Sequence, residues 1–125
     1  MINVNSFDHI NLNVSNLSKS LDFYQGVFGL EIKEEGLNGT RPYAIIGSGH
    51  VNLALYEKHE KLSSGGLNHI GIHIKDFENS FELLKKNGVE MDYDYIIEYD
   101  NSRSIYVRDP DGYGLELSEE FAGNL

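Results

Sequence analysis

The chain has no cysteine and no tryptophan, only two prolines, and ten Lys and Arg against twenty Asp and Glu. Without a thiol it can form no disulfide, thiolate metal site, iron–sulfur cluster or Cys nucleophile. A formal net charge of −10 leaves no basic patch to follow a phosphate backbone, which excludes nucleic acid as a partner. The same deficit removes any attraction to an anionic membrane surface. No apolar run approaches the roughly 20 residues that span a bilayer. The start of the chain has no basic segment followed by an apolar stretch, so a cytoplasmic location is expected. Also missing is a Gly-x-Ser-x-Gly elbow for Ser-His-Asp catalysis, and Gly47-Ser48-Gly49 is too short to cradle a nucleotide phosphate.

What the 125 residues do contain is an internal repeat. Sliding the chain on itself by about sixty positions lays Phe7-Asp8-His9-Ile10 on Leu67-Asn68-His69-Ile70, Leu12 and Val14 on Ile72 and Ile74, and Ser20-Leu21-Asp22 on Ser80-Phe81-Glu82. Each copy opens with the alternation of a half-buried strand and passes a helix N-cap at Asn16 or Asp76. Apolar residues at helical spacing follow (Leu17, Leu21, Tyr24, Phe28; Phe77, Phe81, Leu84), then a glycine suited to a left-handed cap, Gly29 or Gly88. Further strands are expected at 30–34, 43–46 and 51–57 in the first copy and at 89–97, 104–108 and 114–119 in the second. Glycine-rich breaks fall at 36–39 and 47–49. The organisation predicted is therefore α+β, a single domain of two βαβββ modules at about 6–57 and 67–120 joined by a polar linker at 58–66. Helices that cover only one sheet face predict a curved mixed sheet with helices outside and a concave cup inside.

Strand parity selects the residues facing the cup. If the aliphatic faces meet the helices, the opposite faces carry His9, Asn11 and Asn13; His69, Gly71 and His73; Asn52, Ala54 and Tyr56; and Gly114, Glu116 and Ser118. Two repeat-related histidines and one carboxylate on a neighbouring strand can surround one divalent ion. The set His9, His69 and Glu116 suits Mn, Fe, Ni or Zn and leaves positions open for substrate. His50 and His59 fall in turn or linker sequence. The run Asp109-Pro110-Asp111-Gly112 forms a tight turn that delivers Glu116 just inside the last strand.

These residues resemble the vicinal oxygen chelate superfamily, the group of glyoxalases, fosfomycin- and bleomycin-resistance proteins and extradiol dioxygenases. The likeness runs from Phe7 to about Glu120. It rests on His9 in Phe-Asp-His-Ile, the stretch from Leu21-Asp22-Phe23-Tyr24 to Phe28-Gly29-Leu30, His69 in Asn-His-Ile-Gly-Ile, and Asp109-Pro110-Asp111-Gly112 before Glu116. It implies a metal-dependent enzyme acting on a small oxygen-bearing molecule that chelates the ion. Glu116 and Tyr106 would be catalytic, and Asn11, Tyr43, Tyr56, His73 and Tyr106 would contact substrate. The ligand set is most similar to that of the fosfomycin-resistance thiol transferases.

Where glyoxalase I enzymes carry a proton-transferring glutamate this chain has Ala54, or Asn52 if the register slips, and neither is a base. The threonine that fosfomycin-resistance enzymes place two residues after the first histidine is Asn11, and of the cations a phosphonate requires only Arg103 and Arg108 remain. The run from Tyr106 to Gly112 reproduces an extradiol-dioxygenase motif, but 96–104 lacks that group's catalytic histidine. The alternative reading is a non-catalytic binder of the bleomycin-resistance kind, in which the metal positions are generally lost. Sheet edges and an inner face that one short chain covers poorly predict a homodimer, with sites shared between chains as in small relatives of this superfamily.

Overall fold

A computed structural model describes every residue except Val4, Asn5, Ser64 and Leu125. The chain forms two compact units, Met1–Leu62 and Ser63–Leu125, which divide inside the expected linker; Ser64 of that linker lies outside the described residues. The first unit is a βαβββ module and the second repeats it with one further short strand, each with its own mixed sheet, so the α+β architecture is the one expected.

In the first unit, β1 (Ile10–Val14) leads into α1 (Leu17–Phe28), followed by β2 (Glu31–Asn38), β3 (Arg41–Gly47) and β4 (Asn52–Glu57), in sheet order β1-β4-β3-β2. β1 runs parallel to β4, and the other pairs are antiparallel. Leu12, Val14, Ala44, Ile46 and Leu55 are buried together with Tyr24 and Leu17 of α1, which lies against β3 and β4. Fully burying one such Leu stabilises by about 1.5–3 kcal/mol. Asn16 caps α1 through its side chain, which accepts from the Lys19 N–H at 3.0 Å, and Gly29 closes it at φ +66°. Glu57 of β4 adds a second cap: its Oε1 accepts the Leu17 N–H at 2.9 Å.

In the second unit, β5 (Ile70–His73) leads into α2 (Phe77–Lys86), then β6 (Glu90–Met91), β7 (Ile97–Glu98), β8 (Arg103–Arg108) and β9 (Gly114–Ser118). The sheet order is β5-β9-β8-β6, and β7 also pairs with β8. Ile105, Val107, Leu115 and Leu117 are buried, as are Phe77 and Leu84 of α2.

Three local expectations change. The single strand expected at 89–97 is two short ladders on β8, because the intervening Asp92-Tyr93-Asp94-Tyr95 has no apolar face to bury, and Asp92 instead grips Arg108 through two bonds of 2.8 and 3.1 Å. The break expected at 36–39 shrinks to the Gly39–Thr40 turn, and β2 continues through Gly36, where a Cβ would sit 3.2 Å from the Tyr43 ring. Asp76 is not a side-chain cap. It adopts φ +54°, and its carboxylate accepts from the Asn79 side chain at 3.0 Å.

Candidate metal centre

In the second unit, parallel pairing sets Gly71 of β5 beside Glu116 of β9, and antiparallel pairing sets Tyr106 of β8 on its other side. Cross-strand partners share a sheet face. His69, one residue before β5, lies on that same face, and its Nε2 is 2.8 Å from Glu116 Oε2. The other ring nitrogen, Nδ1, is 2.7 Å from Asn68 Oδ1. The amide oxygen and the carboxylate oxygen both accept, so each nitrogen of the His69 ring faces an acceptor, Nδ1 that of Asn68 and Nε2 that of Glu116. Glu116 is held from its other oxygen by Ser104, whose hydroxyl is buried and donates to Oε1 at 2.8 Å. Gly114 permits the approach: a Cβ there would meet the Asn68 carbonyl at 2.9 Å and His69 Cβ at 3.4 Å.

Tyr106 sets its ring at 86° to His69 with centroids 6.1 Å apart, and its hydroxyl lies 2.5 Å from that of Tyr99. Burial, followed by the bond to Tyr99 and the nearby Glu116 carboxylate, pushes the Tyr106 phenol well above its ordinary range. A cleft of about 520 Å³ opens beside this group, lined by Glu98, Tyr99, Asp100, Ser102, Ser104 and Glu116. His73, two residues along β5, pairs in register with Ser118 and meets the Phe121 ring edge-on at 6.0 Å, not Glu116. Arg103 pairs with Glu119 and Glu78, and Arg108 with Asp92.

The first unit repeats half of this arrangement. His9 precedes β1 as His69 precedes β5, and its Nδ1 faces the side chain of the preceding residue in the same way, 2.7 Å from Asp8 Oδ2. The register position of Glu116 is filled by Ala54, since Ala54 pairs with Asn11 on β1 as Glu116 pairs with Gly71 on β5. Asn11 is exposed on that face. Tyr43 and Tyr56 are cross-strand partners stacked at 5.1 Å and 13°, and the Tyr43 hydroxyl donates to Glu34 Oε2 at 2.9 Å.

Thus the structure brings His69, Glu116 and Tyr106 together in one unit and leaves His9, Asn11, Tyr43 and Tyr56 in the other. Among the described residues neither unit gathers three His, Asp or Glu side chains into a metal-holding group of its own. An imidazole nitrogen and a carboxylate oxygen 2.8 Å apart are a donor pair that a divalent ion takes, with bonds of about 2.0–2.2 Å to each. In the second unit His69 and Glu116 are the residues whose chemistry could hold such an ion; His9 is the repeat counterpart of His69 in the first. Ser104 and Tyr99 were not among the expected residues. Ser104 shares Tyr106's strand parity and could have been found by it, whereas Tyr99 lies outside any strand.

The Glyoxalase/Bleomycin resistance protein/Dioxygenase superfamily model matches residues 6–117. The chain belongs to that superfamily. It is 33% identical over 120 residues to the metallothiol transferase FosB of Staphylococcus epidermidis, covering 91% of this chain and 83% of that one. It is 28% identical over 126 residues to the lactoylglutathione lyase of Neisseria meningitidis, covering 93% and 91%. A solved structure of the fosfomycin resistance protein FosX from Listeria monocytogenes, in complex with Mn(II) and sulfate, superposes with a TM-score of 0.75 at 25% identity, covering 94% of this chain and 93% of that one. No helix among the described residues is long and apolar enough to cross a membrane.

Proposed function

We propose that this protein is a metal-dependent enzyme, a single vicinal oxygen chelate domain that uses His9, His69 and Glu116 to hold one divalent ion, of Mn, Fe, Ni or Zn, and acts on a small molecule that reaches the ion through adjacent oxygens. The observation that carries the reading is the pairing of His69 Nε2 with Glu116 Oε2 at 2.8 Å, with Nδ1 turned to Asn68 and the second carboxylate oxygen bonded to Ser104. The enzymatic relatives and the Mn(II)-bound FosX structure support it. When bound, the ion supplies Lewis acidity toward an oxygen of the substrate.

The chain's own residues do the rest. Asn68 and Ser104 hold the donors in place, and Tyr106 and Tyr99 wall the approach to Glu116. Asn11, Tyr43 and Tyr56 extend the surface for substrate in the first module, and His73 does so in the second. Ala54 supplies no proton-transferring carboxylate, which disfavours a glyoxalase I reaction and leaves lyase, thiol transferase and dioxygenase types to the assay below. The paired Arg103 and Arg108 leave little to hold a phosphonate. The active unit is a cytoplasmic homodimer in which the first module of one copy completes the second module of the other.

The stacked Tyr43 and Tyr56 favour a second reading, a non-catalytic binder that holds a flat ligand against that pair. A turnover assay over thiol-transfer, lyase and oxygenation substrates, run beside calorimetric binding on metal-loaded and metal-stripped protein, separates the two. The enzyme reading predicts product that disappears on stripping or in Glu116→Gln. Equal affinity in both forms, with no product from any substrate, would overturn it.

A further inference from the structure

Asn52, which a register slip would put in place of the glyoxalase I glutamate, has both ends of its amide committed elsewhere. Lys33 is the residue left over where the pairing of β2 with β3 shifts between Ile32 and Glu34. A bulge of this kind re-aims its side chain. The Lys33 ammonium reaches past β3 and donates to Asn52 Oδ1 at 2.7 Å and to the Ser48 carbonyl at 2.9 Å. The other end of the amide, Nδ2, donates to the backbone carbonyl of Asp8 at 3.2 Å. The carboxylate of that same Asp8 faces His9 Nδ1 at 2.7 Å.

The ammonium fixes which way the amide points. Reversed, Asn52 would set its NH2 against a cation that only donates and its oxygen against the Asp8 carbonyl, losing both bonds. Gly47, the cross-strand partner of Asn52, makes the space, since a Cβ on it would lie 2.8 Å from Asn52 Oδ1 and 2.1 Å from the Val51 carbonyl. The second module solves the same problem differently. Its counterpart of Asn52 is Gly114, and the carbonyl preceding His69 packs directly against it with no polar relay.

We infer that Lys33 and Asn52 are positioning residues for the first-module histidine, a relay that fixes Asp8 and through it turns His9 Nε2 outward as a donor. The inference rests on His9 being a metal ligand, as proposed above. Because the relay is exposed, its bonds contribute little to fold stability, so its loss is expected at His9 and not in the melting temperature.

Nitrogen-15 NMR of the His9 ring in metal-free protein, at a pH above the ordinary imidazole pKa of about 6.5, reads the orientation directly. The parent should carry its hydrogen on Nδ1, while Lys33→Met and Asn52→Ala should shift toward the Nε2–H form. Mn(II) affinity should fall about tenfold in either variant. It should fall no further when Lys33→Met is added to His9→Ala, and the melting temperature should stay within about 2 °C of the respective parent. An unchanged tautomer with unchanged affinity, the same added loss in the His9→Ala background, or a large fall in melting temperature would overturn the inference. A parent that binds no Mn(II) would refute the metal reading alone, and the tautomer measurement would still decide this one.

Discussion

Replacing Asp109 by Ala tests whether the turn before β9 is what delivers Glu116. Asp109 is 3% exposed, and its Oδ1 accepts the backbone N–H groups of Asp111 and Tyr113, each at 2.9 Å. The backbone of the same residue donates to Tyr113 and accepts from Gly112, which sits at φ +86°. Hydrogen bonds to a charged acceptor are each worth about 1.5–3 kcal/mol, and water reaching the opened turn recovers part of that, so a net loss of about 3 kcal/mol follows for two. At about 2.1 cal/mol/K of unfolding entropy per residue over this length, that corresponds to a fall of roughly 11 °C in the melting temperature. Asp109→Asn keeps an oxygen acceptor without the charge and should lose about half as much. Thermal unfolding followed by circular dichroism measures both. An Ala variant that melts within about 2 °C of the parent, or no better ordering of Asn over Ala, would refute the role given to this turn.

Glu57 caps α1 from β4, and its bond to the Leu17 N–H, followed by its contact with His59, holds its carboxyl below the usual range. That stabilisation is complete above the unfolded carboxyl pKa of about 4.3 and is lost as pH falls through the lower folded value. Urea unfolding of Glu57→Gln should therefore show a deficit of about 1 kcal/mol at neutral pH that closes in acid; a deficit that persists or widens in acid would contradict the assignment. The proposed sharing of sites between two copies predicts that inactive His9→Ala and inactive Glu116→Ala chains, mixed and allowed to exchange, regain turnover from about one intact site per heterodimer. Mixtures that exchange subunits and stay inactive would remove the shared site.

The sixty-residue repeat is legible because the apolar positions of the first strand recur, Leu12 and Val14 as Ile72 and Ile74, although the latter pair is only half-buried. Parity puts Glu116 on the face of His69, one residue before β5, once β5 pairs with β9. What sequence could not supply depends on partners distant in the chain. The Lys33 bulge exists only against β3, and Tyr99, outside any strand, reaches Tyr106 only through the fold. Asp76 resembles Asn16 as a cap, yet its αL backbone turns the carboxylate to Asn79. The 89–97 stretch alternates like a strand, but two acids and two tyrosines give the sheet nothing to bury. Ala54 was readable as the counterpart of Glu116, and the pairing with Asn11 fixes that register over the alternative at Asn52.

The central claim is that His9, His69 and Glu116 hold one divalent ion, and titration of metal-free protein with Mn(II), followed by the electron paramagnetic resonance of the free ion, tests it most directly. The account predicts saturation at about one ion per chain and a loss of 10- to 100-fold or more in affinity for each of His9→Ala, His69→Ala and Glu116→Ala. Occupancy should fall in acid, where protons compete with the ion for its nitrogen and carboxylate donors. A parent that takes up neither Mn(II) nor Fe, Ni or Zn, or a triple variant that binds as tightly as the parent, would contradict it.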